Sequence, residues 1–152
     1  MTNKAIQDHY PDDYSHCYGC GHQNSYGHRL KSVWKEDRAI ASYQPEKHQT
    51  GGVLDNAYGG LIASLIDCHG IATAIADAYQ TESRPLGSSP DIRFVTGGLN
   101  VQYLQPTPID AVLELHAQVT ETVRRKTVVS VTLSAKDTIC AQAEVTAIRL
   151  KL

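Results

Sequence analysis

One stretch constrains the fold more than any other. Across residues 57–79, Leu61, Ile62, Leu65, Ile66, Ile71, Ala72, Ile75 and Ala76 make an apolar body far too long for a strand. The spacing predicts a helix. Its apolar residues lie nearly all round it, so it must be buried on nearly all sides. A run this long also meets the length requirement for a membrane span. Asp67, His69 and Asp77 lie inside it, and charge is costly in lipid, so the run reads as a buried core helix and no membrane partner is expected. Asn56, just ahead of the apolar body, is the candidate N-cap.

The segments on either side read as strands. Residues 30–45 hold two short β-like stretches about the polar pair Glu36-Asp37, which suits a hairpin. After the helix come Ile92–Val95, Leu99–Leu104, Ala111–Thr122, Thr127–Ser134 and Ile139–Leu150, rich in β-branched residues and roughly alternating. Arg124-Arg125-Lys126 reads as a charged turn. Residues 1–30 are polar and broken by Pro11, Gly19, Gly21, Asn24 and Gly27, an irregular lead-in. Strands on both sides of one long helix predict an α+β fold, with the helix laid against one antiparallel sheet. A length of 152 residues suits a single domain, 1–152.

Charge and cysteine usage exclude some roles. The net charge is -2 and the basic residues are scattered, so no nucleic-acid partner is expected. The N-terminus has no apolar signal core, and the 4 cysteines read as free thiols of a reducing compartment, which predicts a cytoplasmic location.

Asp67 is the most informative residue. A carboxylate among Leu65, Ile66, Cys68 and Ile71 needs a partner, a raised pKa or a chemical role. A structural hydrogen bond to backbone or to a neighbouring subunit would satisfy it equally. Gly60, Ser64, Asp67 and Ile71 follow helical spacing on one face. Gly59 and Gly60 stand at the helix start, where free N–H groups and the helix dipole can hold a developing oxyanion; tight packing is the plainer reason for two glycines there. Seven residues of helix separate Gly60 from Asp67 by roughly 10 Å. A carbonyl held at Gly60 is therefore out of reach of the same chain's Asp67. This predicts a two-fold dimer, or a tetramer built from such dimers, with sites across the interface.

The segment Tyr58-Gly59-Gly60-Leu61-Ile62-Ala63-Ser64-Leu65-Ile66-Asp67 resembles the His-Gly-Gly…Asp motif of hotdog-fold thioesterases of the phenylacetate-pathway type. Leu99-Asn100-Val101-Gln102-Tyr103-Leu104-Gln105-Pro106 is similar to a later strand of that family. Cys17-Tyr18-Gly19-Cys20-Gly21 resembles a cysteine-containing lead-in of one branch. The resemblance implies a hotdog fold, an antiparallel sheet wrapped around one central helix. It implies hydrolysis of a small or medium acyl-coenzyme A. In that scheme the N–H of Gly60 or Gly59 polarises the thioester carbonyl, and the partner subunit's Asp67 is general base or nucleophile. Ser64 orients the water or the carboxylate, and Tyr103, Leu104 and Pro106 lie near the coenzyme A arm. No cofactor is implied, coenzyme A being part of the substrate. Tyr58 stands where the family has histidine and is assigned to substrate contact. Asn56, with Asp55, is a candidate for a polar loop residue that the family places before the glycines.

Other clusters are set beside these. His16, Cys17, Cys20, His22 and His28 resemble a zinc-ligand set, but Cys17-x-x-Cys20 has no second cysteine pair downstream, and no metal is assigned. Cys68 reads as core. Arg84, Arg93, Arg124, Arg125 and Lys126 are candidates for the coenzyme A phosphates. A non-catalytic acyl-coenzyme A binding protein is the alternative, kept open by Tyr58. A hotdog dehydratase ranks last, because that branch pairs its Asp with a His five residues on, and Ala72 stands there.

Overall fold

The computed structural model describes residues 4–152. Two short 3-10 turns, Ile6–His9 and Asp12–Tyr14, open the described chain. Strands β1 (Ser32–Lys35) and β2 (Arg38–Tyr43) precede the helix α1 (Gly59–Thr81). Strands β3 (Phe94–Tyr103), β4 (Leu113–Val123), β5 (Lys126–Ala135) and β6 (Thr138–Arg149) follow it. All pairings are antiparallel, in the order β1-β2-β4-β5-β6-β3. This is the expected α+β hotdog architecture.

The order explains the helix. The chain leaves the β1–β2 end of the sheet and must re-enter at β3, on the far edge. Six strands at about 4.8 Å spacing are roughly 24 Å across, and 23 helical residues extend about 34 Å. One helix thus crosses the whole sheet and packs against all six strands. By length and composition it would also suit a membrane span, but Leu61, Leu65, Ile66, Ala72 and Ile75 are buried between it and the sheet. Period-two burial on the strands supplies the other half of the core: Leu113, Leu115 and Ala117 on β4, Val129, Val131 and Leu133 on β5, Ala141, Ala143 and Val145 on β6. Gly70 lets the helix approach β6, since a Cβ there would lie 2.6 Å from Val145 Cγ2. The β5–β6 hairpin closes through Lys136 and Asp137, both at positive φ, as a two-residue turn of matching twist requires.

Two expectations are corrected in detail. Ile92–Val95 and Leu99–Leu104 are not separate strands; β3 runs through both, with a register shift between Thr96 and Gly98. Gly97 permits this, because a Cβ there would sit 2.6 Å from Ile148 Cγ1. Asn56 does not cap the helix. It pairs with Pro108 in an isolated bridge, and Tyr58 is the N-cap residue, without a side-chain cap bond. The helix therefore starts at Gly59, with its first N–H groups unclaimed by a capping side chain.

His69 faces the sheet. Its Nδ1 lies 2.8 Å from Ser32 Oγ and its Nε2 lies 3.1 Å from the Ala39 carbonyl. Gln7 completes the set, donating from Nε2 to Ser32 Oγ and accepting the Ser32 N–H at Oε1. The Ala39 carbonyl can only accept, so Nε2 carries the proton and Nδ1 accepts from Ser32. Burial pushes the His69 pKa down to about 4, in keeping with a neutral ring. The network ties the lead-in, β1, β2 and α1 together. His69→Leu leaves the buried Ser32 O–H without its acceptor and takes a donor from the Ala39 carbonyl. A loss of about 2–4 kcal/mol is expected, read as a lower urea midpoint at fixed chain concentration.

Candidate active site

The helix start is built for close approach. Leu61 and Ile62 N–H both bond the Tyr58 carbonyl, so the N–H groups of Gly59 and Gly60 fall before the first intrahelical bond. Gly59 and Gly60 are exposed. The Tyr58 ring lies over Gly60, where a Cβ would come within 2.5 Å of Tyr58 Cε2. Tyr103 Oη donates to the Gly59 carbonyl at 2.7 Å and pins β3 to this end of the helix. Gly59, Asn56, Tyr103, Leu104 and Pro106 line one open depression of about 300 Å³. The structure thus brings together five of the residues singled out in the sequence.

Asp67 lies in a different place. It is half-buried, on the helix stripe that the sheet does not cover, with Ser64 and Ile71. Thr96 Oγ1 on β3 donates to Asp67 Oδ1 at 2.5 Å. Burial pushes the Asp67 carboxyl above the usual carboxylate range, the Thr96 hydroxyl opposes this, and Cys17 adds a smaller upward push. Ser64 is packed near Gly19 of the lead-in, 3.2 Å from where a Cβ would project; Thr96, not Ser64, makes the hydrogen bond to Asp67. Asp67 shares a cavity of about 370 Å³ with Tyr10, Tyr14, Cys17, Ile71 and Phe94. Tyr14 Oη donates to the Phe94 carbonyl and holds this wall against β3. The two depressions have no residue in common.

The sequence did not reveal Thr96, Tyr10 or the lead-in cysteines as neighbours of Asp67. Thr96 lies 29 residues away, and only the sheet order brings it near. Cys17 Sγ is 3.7 Å from Cys68 Sγ and accepts the Gly19 N–H at 3.4 Å. The side-chain contacts with Cys20 and Cys68 hold the Cys17 pKa far below the usual thiol value, and the contact with Cys17 raises theirs. Of the candidate phosphate ligands, Arg93 is engaged by Asp13 at 2.8 Å and Asp91 at 2.5 Å, and Arg84 by Glu82 at 2.8 Å. Arg124 and Arg125 stay exposed at the β4–β5 turn.

Comparison with known proteins agrees with this architecture. Residues 54–142, more than half of the chain, match the family model described as the thioesterase superfamily. Among solved structures, a thioesterase superfamily protein from Shewanella loihica PV-4 is 38% identical, the match covering 93% of this chain and 100% of that one at a TM-score of 0.65. The protein smu.793 from Streptococcus mutans UA159, solved bound to acetyl CoA, is similar at 18% identity, 85% and 94% coverage and a TM-score of 0.67. The E. coli PaaI protein of the phenylacetic acid degradation operon shares the fold at 13% identity, 82% and 81% coverage and a TM-score of 0.66. No curated protein sequence matches the chain. The family match and the 38% identity over nearly the whole chain agree with the fold: this chain belongs to the thioesterase superfamily.

Proposed function

We propose that this protein is an acyl-coenzyme A thioesterase acting on small or medium acyl groups, with each active site shared between two chains. The observation that carries the proposal is the separation of the two half-sites. Gly59, at the helix start, lines one depression of the chain and Asp67 lines another. A second copy, its helix antiparallel to the first, brings an Asp67 to each helix start. The edge of β3 suits such pairing. Its outer side has no partner strand among the described residues, and Val95, Leu99 and Tyr103 are 43%, 41% and 53% exposed along it. A homodimer, or a tetramer of two such dimers, follows.

In this reading the thioester oxygen sits at the N–H groups of Gly59 and Gly60, where the helix dipole favours negative charge. The partner subunit's Asp67 takes a proton from water as the oxygen attacks the carbonyl, or attacks it directly and forms an anhydride that water then opens. Thr96 holds Oδ1, which leaves Oδ2 to face the water or the carbonyl. The tetrahedral intermediate collapses, the C–S bond breaks, and the coenzyme A thiolate leaves and is protonated. Tyr103, Leu104 and Pro106 flank the path of the coenzyme A arm, and Tyr58 and Asn56 contact the substrate. Ser64 stands one helical turn before Asp67, within reach of the attacking water. The acetyl CoA bound to the Streptococcus mutans relative supports the ligand class. A cytoplasmic setting belongs to the same reading, supported by four free cysteines.

The test is thiol release from short, medium, long and aryl acyl-coenzyme A. Release confirms hydrolysis. Binding without release moves the protein to a non-catalytic acyl-coenzyme A binder, the reading that Tyr58 in the histidine position favours. Gly60→Ala probes the oxyanion side. The methyl group displaces the Tyr58 ring and crowds the N–H groups. A loss of roughly 10²–10³-fold in kcat/KM is expected, the range for losing an oxyanion donor. The fold should persist, since alanine favours helix more than glycine does.

A further inference from the structure

The lead-in meets α1 at three sulfurs. Cys17, Cys20 and Cys68 place their Sγ atoms within 4.8 Å of one another, the only such cluster among the described residues. Cys17 and Cys68 are 51 residues apart in sequence, with sulfurs at 3.7 Å. Zn–S bonds of about 2.3 Å place two sulfurs of a tetrahedral site roughly 3.8 Å apart. The Gly19 N–H donates to Cys17 Sγ at 3.4 Å, an arrangement that favours a thiolate. Gly19 is the residue that allows the fit, because a Cβ there would meet Cys68 Sγ at 2.3 Å.

A second observation points to the same spot. The Tyr10 hydroxyl is buried and has no hydrogen-bond partner among the described residues. It lines the cavity that Cys17, Cys20 and Cys68 also line, together with His16 and Asp67. A buried hydroxyl without a partner costs about 1–3 kcal/mol. A water or thiolate held on a cation supplies the acceptor it lacks.

We propose that Cys17, Cys20 and Cys68 bind one thiophilic divalent cation of the zinc type, with the fourth position open towards the Asp67 cavity. On sequence alone, Cys17-x-x-Cys20 lacked a downstream pair. The fold supplies the third ligand from the helix, one residue after Asp67. The Cys17 thiolate and the thiols of Cys20 and Cys68 form three S–Zn bonds, two protons pass to solvent, and nothing is oxidised or reduced. Soft thiolates select zinc over magnesium or calcium. The ion clamps the lead-in onto α1 and so holds one wall of the cavity in place.

Metal content of the full chain, prepared under reducing conditions with Zn²⁺ and then desalted, tests this. About one zinc per chain is expected. It should fall below a tenth in Cys17→Ser, Cys20→Ser and Cys68→Ser, and stay unchanged in Cys140→Ser, whose sulfur lies outside the cluster. Co²⁺ titration of the reduced wild type requires no variant to fold. Saturation at one equivalent, with sulfur-to-cobalt charge transfer and tetrahedral d–d bands, supports the site. Removing the metal with a chelator should lower Tm. A reduced wild type that takes up neither ion overturns the proposal. So does stoichiometric metal retained in Cys68→Ser. A Cys17–Cys68 disulfide in air-prepared protein, together with no metal uptake after reduction, replaces it with a redox pair.

Discussion

Asp67→Asn should lower thioester hydrolysis by roughly 10²–10⁴-fold, the range for losing a positioned acid–base group. The oligomer and the unfolding midpoint should stay near those of the wild type. The isosteric amide keeps an oxygen for the Thr96 hydroxyl, which now donates to Oδ1 at 2.5 Å. Burial already disfavours the charged carboxylate here, so neutralising it removes the chemistry without leaving a stranded charge. Steady-state thiol release and light scattering read the two effects separately. Full turnover in Asp67→Asn removes the residue from the mechanism, and a collapsed oligomer assigns it to assembly instead.

Mixing Asp67→Asn with Gly60→Ala should restore activity that neither variant has alone. In a mixed dimer, one site takes Gly60 from the first chain and Asp67 from the second, and is intact. The other site carries both changes. Random assortment makes half of the dimers mixed, with one working site each, so recovery of about one quarter of wild-type activity is expected. Co-expression, or co-refolding of the two variants, followed by thiol-release assay, measures it. An activity equal to the mean of the two separate variants would place the whole site within one chain, and the shared-site mechanism would fall.

Much of the architecture was legible because it rests on local periodicity. Leu61 to Ala76 could only be a buried helix, and the alternation through Leu113, Leu115 and Ala117 could only be a half-buried strand. The motif from Tyr58 to Asp67 was readable because helical geometry converts spacing into distance. That same conversion separated Gly60 from Asp67 and called for a second chain. The helix start was less legible. Asn56 is a good capping residue by type, yet the chain gives it to a bridge with Pro108 and begins the helix after Tyr58. Local preference for a cap is worth about 1 kcal/mol, and the pairing of the loop with the segment around Pro108 outweighs it.

What the sequence by itself determined is what near neighbours along the chain determine: one core helix, the strands, the glycines at the helix start and the carboxylate seven residues on from Gly60. Only the tertiary structure decided which distant groups meet. Thr96 reaches Asp67 because the helix crosses the sheet to the β3 edge. Cys68, a core residue by type, meets Cys17 because the lead-in folds back over α1. His69 turns to Ser32 and Ala39 because the β1–β2 hairpin closes that end of the sheet. Each contact joins residues 29 to 51 positions apart. Periodicity carries no information at that range; the closing of the sheet around the helix supplies it.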